Sequence, residues 1–145
     1  MTGHGLNDEQ VEQFRCDGYL VVKGLFETES LEPVRHRIRE LTKIGAPDLD
    51  KAKRRLGMFN RQVEPRVESG ELQADNYAGS LRKMTHIAFE EAVFLDHARD
   101  ARIVDVIECL LGSDIVLAQD QLFMKPPYVG SRQEFHQDTP LGFHL

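Results

Sequence analysis

The sequence predicts an α+β fold, in which helices near the amino terminus are followed by the strands of a sheet. Residues 31–41 and 100–112 have the apolar spacing of helices, and residues 114–124 alternate in the manner of a strand. A chain of 145 residues with 41% apolar residues is long enough to bury a core. We therefore expect residues 1–145 to form a single domain.

The first two helices are predicted from local signals. Asn7 is a favourable N-cap, Gln10 occupies the position of its capping-box partner, and Gly18 is placed to end the helix. Residues 19–22 are aromatic and β-branched, which predicts a short strand. A second helix then presents one apolar face, formed by Leu31, Val34, Ile38 and Leu41.

The middle of the chain is irregular. Residues 46–80 have no apolar periodicity and are interrupted by Gly and Pro, so we predict a loop there. A loop of that length is usually functional or mobile, which makes it a candidate lid over a site. Order returns with a strand at residues 81–87 and a helix at residues 90–99. Another helix is predicted from its N-cap at Asp100 to Gly112. Its inward-facing residues would be Ile103, Val106, Ile107, Leu110 and Leu111.

The strand predicted at residues 114–124 has two distinct faces. One face carries Ile115, Leu117, Gln119, Gln121 and Phe123, and the other carries Val116, Ala118, Asp120, Leu122 and Met124. After a loop that begins at Lys125, residues 134–137 are expected to form one more short strand.

Composition excludes several classes of function. A net charge of −6 argues against a nucleic-acid-binding surface. No apolar run is long enough to span a membrane, and the first residues lack the order of a signal peptide. Cys16 and Cys109 lack the spacing of a zinc site, which favours free thiols in a reducing compartment. We therefore expect a cytoplasmic protein; its oligomeric state is not indicated.

The most informative motif is His136-Gln137-Asp138. On a strand, residues two apart point to the same face, so His136 and Asp138 would project together. An imidazole and a carboxylate are two of the three ligands in the facial triad of non-haem Fe(II) oxygenases. For the tripeptide alone, a surface His beside a turn Asp remains the alternative. His144 is a further candidate ligand, placed after the break at residues 140–142.

Several separate stretches resemble one family. The opening residues 6–22, the end of a helix at residues 110–112, Lys125-Pro126-Pro127 and the His136/Asp138 motif together resemble phytanoyl-CoA dioxygenase family proteins. The resemblance implies a double-stranded β-helix (jelly roll) that hydroxylates a small organic substrate with Fe(II), 2-oxoglutarate and O2. It implies that His136 and Asp138 are iron ligands, and that Lys83 and Gln121 contact 2-oxoglutarate.

The sequence also departs from that family. The second metal-binding His and the Arg that pairs with 2-oxoglutarate have no counterpart here, so the chain resembles the amino-terminal half of the enzyme, truncated after the first core strands. Whether it is an active enzyme is therefore open. The alternatives are a non-catalytic interaction module derived from the same fold, and a different metal-binding protein that uses His136, Asp138 and His144. The acidic charge favours a small metabolite over an acyl-CoA as substrate.

Overall fold

A computed structural model describes residues 5–43, 60–74 and 78–135. Within these ranges the chain forms six α-helices, two 3-10 turns and three strands. The helices are α1 (Asp8–Asp17), α2 (Glu32–Lys43), α3 (Pro65–Glu68), α4 (Ile87–Glu90), α5 (Ala92–Ala98) and α6 (Ala101–Leu111). The strands are β1 (Asn60–Val63), β2 (Leu81–Thr85) and β3 (Gln121–Phe123), and the 3-10 turns are Thr28–Leu31 and Ala78–Ser80.

The three strands form one antiparallel sheet in the order β1–β2–β3. In the central strand, Lys83 lies between Gln62 of β1 and Phe123 of β3. Met84 lies opposite Leu122, and Thr85 lies opposite Gln121. This combination of helices with a small antiparallel sheet is an α+β structure, as the sequence predicts.

The hydrophobic core lies between the sheet and the helices. Its buried members are Leu41, Met84, Ile87, Ala88 and Phe94. Partly buried residues pack around them, namely Val34, Ile38, Val93, Leu95, Leu122 and Met124. The apolar face predicted for α2 therefore contacts the core, and Met84 and Leu122 show which face of the sheet is covered by helices.

The helix boundaries follow the predicted caps. Asn7 Oδ1 accepts a hydrogen bond from the Gln10 N–H at 2.9 Å, and Gln10 Oε1 accepts one from the Asn7 N–H at 3.0 Å. Gly18 ends α1 with a φ of 78°, a left-handed conformation that Gly adopts without steric cost. The carboxylate of Asp100 caps α6, and Gly112 follows its last residue. No helix in the described ranges is both long and apolar enough to cross a membrane.

Two of the predicted strands differ from the structure, and a third, at residues 134–137, is described only at residues 134 and 135, which are not in a strand. Residues 19–22 pair with none of the three strands, so the prediction of a strand there is wrong. The strand predicted at residues 114–124 is limited to Gln121–Phe123. Its ladder is short because β2 ends at Thr85, opposite Gln121, so residues 114–120 have no partner strand among the described residues. The prediction of a strand at residues 81–87 is confirmed for Leu81–Thr85.

The irregular loop predicted at residues 46–80 contains ordered elements. Its second half includes β1 and α3, while residues 46–59 lie outside the described residues. The sequence Asn60–Val63 has no apolar alternation, and its strand conformation depends on pairing with β2, which overrides local propensity. A lid function for this segment stays a prediction.

The helical predictions after β2 need two smaller corrections. The helix predicted at residues 90–99 corresponds to α5, while Glu90 belongs to the preceding helix α4. The two helices are separated at Glu91, whose backbone is extended (φ −125°, ψ 111°). Leu111, predicted to face inward, is 71% exposed. It is the last residue of α6, whose buried residue Val106 lies more than one turn earlier.

Candidate functional site

The residues predicted to contact 2-oxoglutarate lie on one face of the sheet. Met84 packs into the helical core, so its neighbour Lys83 projects from the opposite face. Residues opposite each other in an antiparallel pair share a face, which places Phe123 beside Lys83 and Gln121 beside Thr85. Lys83 and Gln121 are therefore diagonal neighbours, a relationship that typically separates residues by about 7–8 Å.

This face combines a fixed backbone with polar side chains. Lys83 is on the central strand, half-buried, with a strand on either side, and Thr85 next to it on the same face is buried. Gln121 and Phe123 are exposed on the outer strand. An ammonium group and a carboxamide N–H are both donors, so this surface could bind a carboxylate.

Asp120 fixes the position at which β3 begins. The His86 N–H donates to the Asp120 carbonyl at 3.0 Å, and Asp120 Oδ2 accepts from the N–H groups of Ile87 and Ala88 at 2.8 and 3.1 Å. His86 adopts a left-handed conformation (φ 59°, ψ 31°) that turns the chain from β2 into α4. Within the described ranges, two buried atoms here lack a hydrogen-bond partner, His86 Nδ1 and Asp120 Oδ1.

The structural role of Asp120 was not predicted, but the sequence contains a signal for it. Asp120 is an acidic residue on a predicted strand face that is otherwise apolar. A carboxylate in such a position needs hydrogen-bond partners. Here those partners are the first N–H groups of α4, which have no intrahelical acceptor.

A tight turn after β3 leads toward the His136/Asp138 motif. The Gly130 N–H donates to the Pro126 carbonyl at 3.0 Å, and both Pro126 and Val129 are buried. A Cβ atom at Gly130 would lie 2.7 Å from Lys125 Cγ and 2.8 Å from the Pro126 oxygen, so this position requires Gly. The turn therefore fixes the direction in which the chain continues at the next residue, Ser131.

Ser131 is held by a buried acidic residue. Glu64 is 1% exposed, and its Oε2 accepts hydrogen bonds from the Ser131 N–H at 3.0 Å and the Ser131 hydroxyl at 2.6 Å. Two residues further along, Gln133 Oε1 accepts from Arg82 Nη2 at 3.0 Å. Residues 131–133 thus contact the β1–α3 junction and β2. Glu64 lies within the segment predicted to be a loop, and nothing in its local sequence indicates this contact.

The predicted metal ligands His136 and Asp138, and the alternative ligand His144, lie outside the described residues. Among the residues that the structure does describe, no group of three or more His, Cys, Asp or Glu side chains is arranged to hold a metal ion. The donor set of the motif fits Fe(II) in its chemistry, because one imidazole nitrogen and one carboxylate oxygen belong to the facial-triad ligands.

Comparisons with known proteins give one matching family and one curated relative. A family model described as phytanoyl-CoA dioxygenase (PhyH) matches residues 14–144. The ectoine dioxygenase of Stutzerimonas stutzeri (strain A1501) is 25% identical over 130 residues, which cover 90% of this chain and 37% of that protein. The chain therefore spans little more than a third of the length of this relative. No solved structure gives a significant match.

Proposed function

This chain belongs to the phytanoyl-CoA dioxygenase family, and from that membership we propose that it carries part of the active centre of an Fe(II)- and 2-oxoglutarate-dependent dioxygenase. The observation that carries the proposal is the family match over residues 14–144, which includes the His136/Asp138 motif. The three antiparallel strands would then belong to one sheet of a jelly roll, the fold that the family implies.

The metal-binding residues in this proposal are His136 and Asp138. They would hold iron through an imidazole nitrogen and a carboxylate oxygen, and a facial triad needs one further protein ligand. Bound iron supplies the oxygen chemistry, in which O2, 2-oxoglutarate and a substrate C–H bond yield succinate, CO2 and an alcohol.

Lys83 and Gln121 would bind the cosubstrate. Lys83 lies on the central strand, whose neighbours on both sides fix the position of its backbone. An ammonium group there can pair with a carboxylate of 2-oxoglutarate, and the amide of Gln121, diagonally placed on the same face, can donate a second hydrogen bond. The support for these roles is the shared face. Groups placed on strands are held more precisely than groups on loops.

The proposed substrate is a small polar organic molecule. The relative from Stutzerimonas stutzeri is named for its action on ectoine, and it is matched over 90% of this chain. The net charge of −6 is also unfavourable for a substrate with several phosphate groups. We therefore propose hydroxylation of a small solute rather than of an acyl-CoA.

Anaerobic calorimetric titration with Fe(II) tests the metal site. The wild type should bind weakly, since two protein ligands leave much of the coordination shell to water, and His136→Ala and Asp138→Ala should abolish this binding. His36→Ala is the matched control, because His36 is an exposed residue of α2 that lies beside Glu40. Equal affinity in the wild type and both motif variants would refute the assignment. Loss of binding in His144→Ala would favour the alternative set of three ligands.

A further inference from the structure

We propose that Glu64 is a positioning residue, which fixes the segment that leads to the metal-binding motif through its hydrogen bonds to Ser131. This inference rests on the proposed function, since it assigns His136 and Asp138 to the metal. It concerns a buried acidic group that the proposed chemistry does not otherwise use.

Glu64 is buried and held at both its backbone and its side chain. Its backbone N–H donates to the Ser80 carbonyl at 2.7 Å, and its carbonyl accepts from the N–H groups of Val67 and Glu68, each at 2.9 Å. These bonds place it at the junction of β1 and α3. A carboxylate that is 1% exposed costs free energy unless it is hydrogen-bonded, and the partners of Oε2 are the N–H and hydroxyl of Ser131.

The contact with Ser131 is specific. The Ser131 hydroxyl at 2.6 Å and the Ser131 N–H at 3.0 Å are both within ordinary hydrogen-bond distance of Glu64 Oε2. Two donors from one residue on the same oxygen fix the backbone as well as the side chain. Gln133, bound to Arg82 of β2 at 3.0 Å, gives the segment a second attachment to the sheet.

The distance along the chain makes this attachment relevant to the metal. Ser131 precedes His136 by five residues, and an extended chain rises at most about 3.6 Å per residue, so the span is at most about 18 Å. Functional side chains generally need supporting contacts that hold them within about 0.5 Å of the productive geometry. Glu64 is buried and held by backbone hydrogen bonds, so its contact with Ser131 can provide one of these supporting contacts.

The test separates a positioning role from a purely structural one. Loss of a structural contact lowers the free energy of unfolding but leaves the metal affinity of the folded protein unchanged. Loss of a positioning contact weakens metal binding by the folded protein as well. Metal affinity and stability are therefore measured on the same variants, with Co(II) alone as a redox-stable probe.

We expect Ser131→Ala and Glu64→Gln each to weaken Co(II) binding about tenfold. The double variant should be little weaker than either single variant, because both substitutions weaken the same contact. Ser131→Thr keeps the hydroxyl and should bind as the wild type does. Glu68→Gln makes the same chemical change as Glu64→Gln at an exposed position four residues away and should have no effect.

Hydrogen exchange provides a second measurement that needs no metal. In the metal-free protein, the amide of residue 131, which donates to Glu64 Oε2, should exchange faster in Ser131→Ala than in the wild type, while those of α6 should not change. Ser131→Ala keeps the backbone hydrogen bond to Glu64 and is therefore expected to fold. It can test the positioning role even if Glu64→Gln does not fold.

The possible results distinguish the two proposals. A wild type that binds Co(II), with unchanged affinity in Ser131→Ala and Glu64→Gln, would overturn the positioning role and leave the proposed function intact. A wild type that binds no Co(II), while the Ser131 amide is still protected from exchange by Glu64, would contradict the proposed function and reduce Glu64 to a structural role.

Discussion

Asp120 caps the helix that begins at Ile87: its Oδ2 accepts the Ile87 N–H at 2.8 Å. The same oxygen accepts the Ala88 N–H at 3.1 Å, and the Asp120 carbonyl accepts the His86 N–H at 3.0 Å. Asp120 directly precedes β3, and His86 directly follows β2. One residue thus links the ends of the two strands on which the candidate cosubstrate residues lie.

Asp120→Ala should lower the free energy of unfolding by about 2 kcal/mol, because it leaves two N–H groups at the start of α4 without an acceptor. Asp120→Asn keeps one side-chain oxygen as an acceptor and should cost less. Urea denaturation measures both. Asp114→Ala is the control, since Asp114 is exposed in the segment before β3. Equal losses for Asp114→Ala and Asp120→Ala would contradict the capping role.

Arg37 links α2 to the junction between α4 and α5 through a two-pronged ion pair. Its Nε donates to Glu91 Oε2 at 2.9 Å and its Nη2 to Glu91 Oε1 at 2.8 Å. The hydrogen bonds that Arg37 donates to Glu91, and then the one it donates to Glu40, raise the pKa of Arg37 above its ordinary value. Lys cannot form this fork, so Arg37→Lys should destabilise the fold by about 1 kcal/mol, a value limited by partial exposure. Thermal melts measure the stability of both variants. Arg35→Lys, at an exposed position of the same helix, should change that stability little.

Asp100 should contribute a pH-dependent part of the stability. Side-chain hydrogen bonds from Arg102 at 2.6 and 2.8 Å, and then its backbone N–H at 2.9 Å, hold the pKa of Asp100 well below the usual range. The unfolded chain therefore takes up this proton first as the pH falls. The stabilisation is complete above the ordinary Asp pKa of about 3.9 and is lost as the pH falls toward the folded value.

Asp100→Asn keeps an acceptor for the cap but cannot titrate, so its free energy of unfolding should fall less steeply below about pH 4 than that of the wild type. Urea titrations at several acidic pH values give both slopes. Other acidic residues with lowered pKa values, such as Glu40 and Glu71, are present in both proteins and cancel in the difference. Parallel slopes would show that the Arg102 contact does not act on Asp100 as described.

Lys83 is expected to determine the affinity for 2-oxoglutarate. Lys83→Met keeps much of the side-chain length but removes the charge, and it should weaken 2-oxoglutarate binding by the Co(II)-loaded chain about tenfold. Lys23→Met removes one positive charge at an exposed turn and serves as the control for net charge. If both variants weaken binding equally, the effect is one of overall charge, and Lys83 has no specific role.

The sequence predicts those features that depend on neighbouring residues along the chain. The capping box of Asn7 and Gln10, the cap at Asp100 and the apolar face of α2 are all local patterns, and each is present. The sequence does not predict β1, because Asn60–Val63 adopts a strand conformation through pairing with β2. Residues 114–120 show the reverse case, since their strand-like pattern has no neighbouring strand in the part of the chain that the structure describes and forms no ladder there.

The same distinction applies to the candidate site. Lys83 and Gln121 were selected by resemblance to a family, and the register of β2 and β3 places them on one face. Glu64 and Asp120 were not selected, because their partners are 67 and 33 positions away in the sequence. A contact over such a distance leaves no local pattern, apart from the presence of Asp120 on an apolar strand face.

The central claim is that His136 and Asp138 hold an iron ion to which 2-oxoglutarate binds. Chelation of Fe(II) by a 2-oxo acid produces a visible charge-transfer absorption, so anaerobic spectroscopy with Fe(II) and 2-oxoglutarate tests metal and cosubstrate together. The account predicts a band in the wild type that exceeds the band of the same reagents without protein, and that is absent from His136→Ala and Asp138→Ala. A wild type without this band, or a band that persists in both variants, would contradict it.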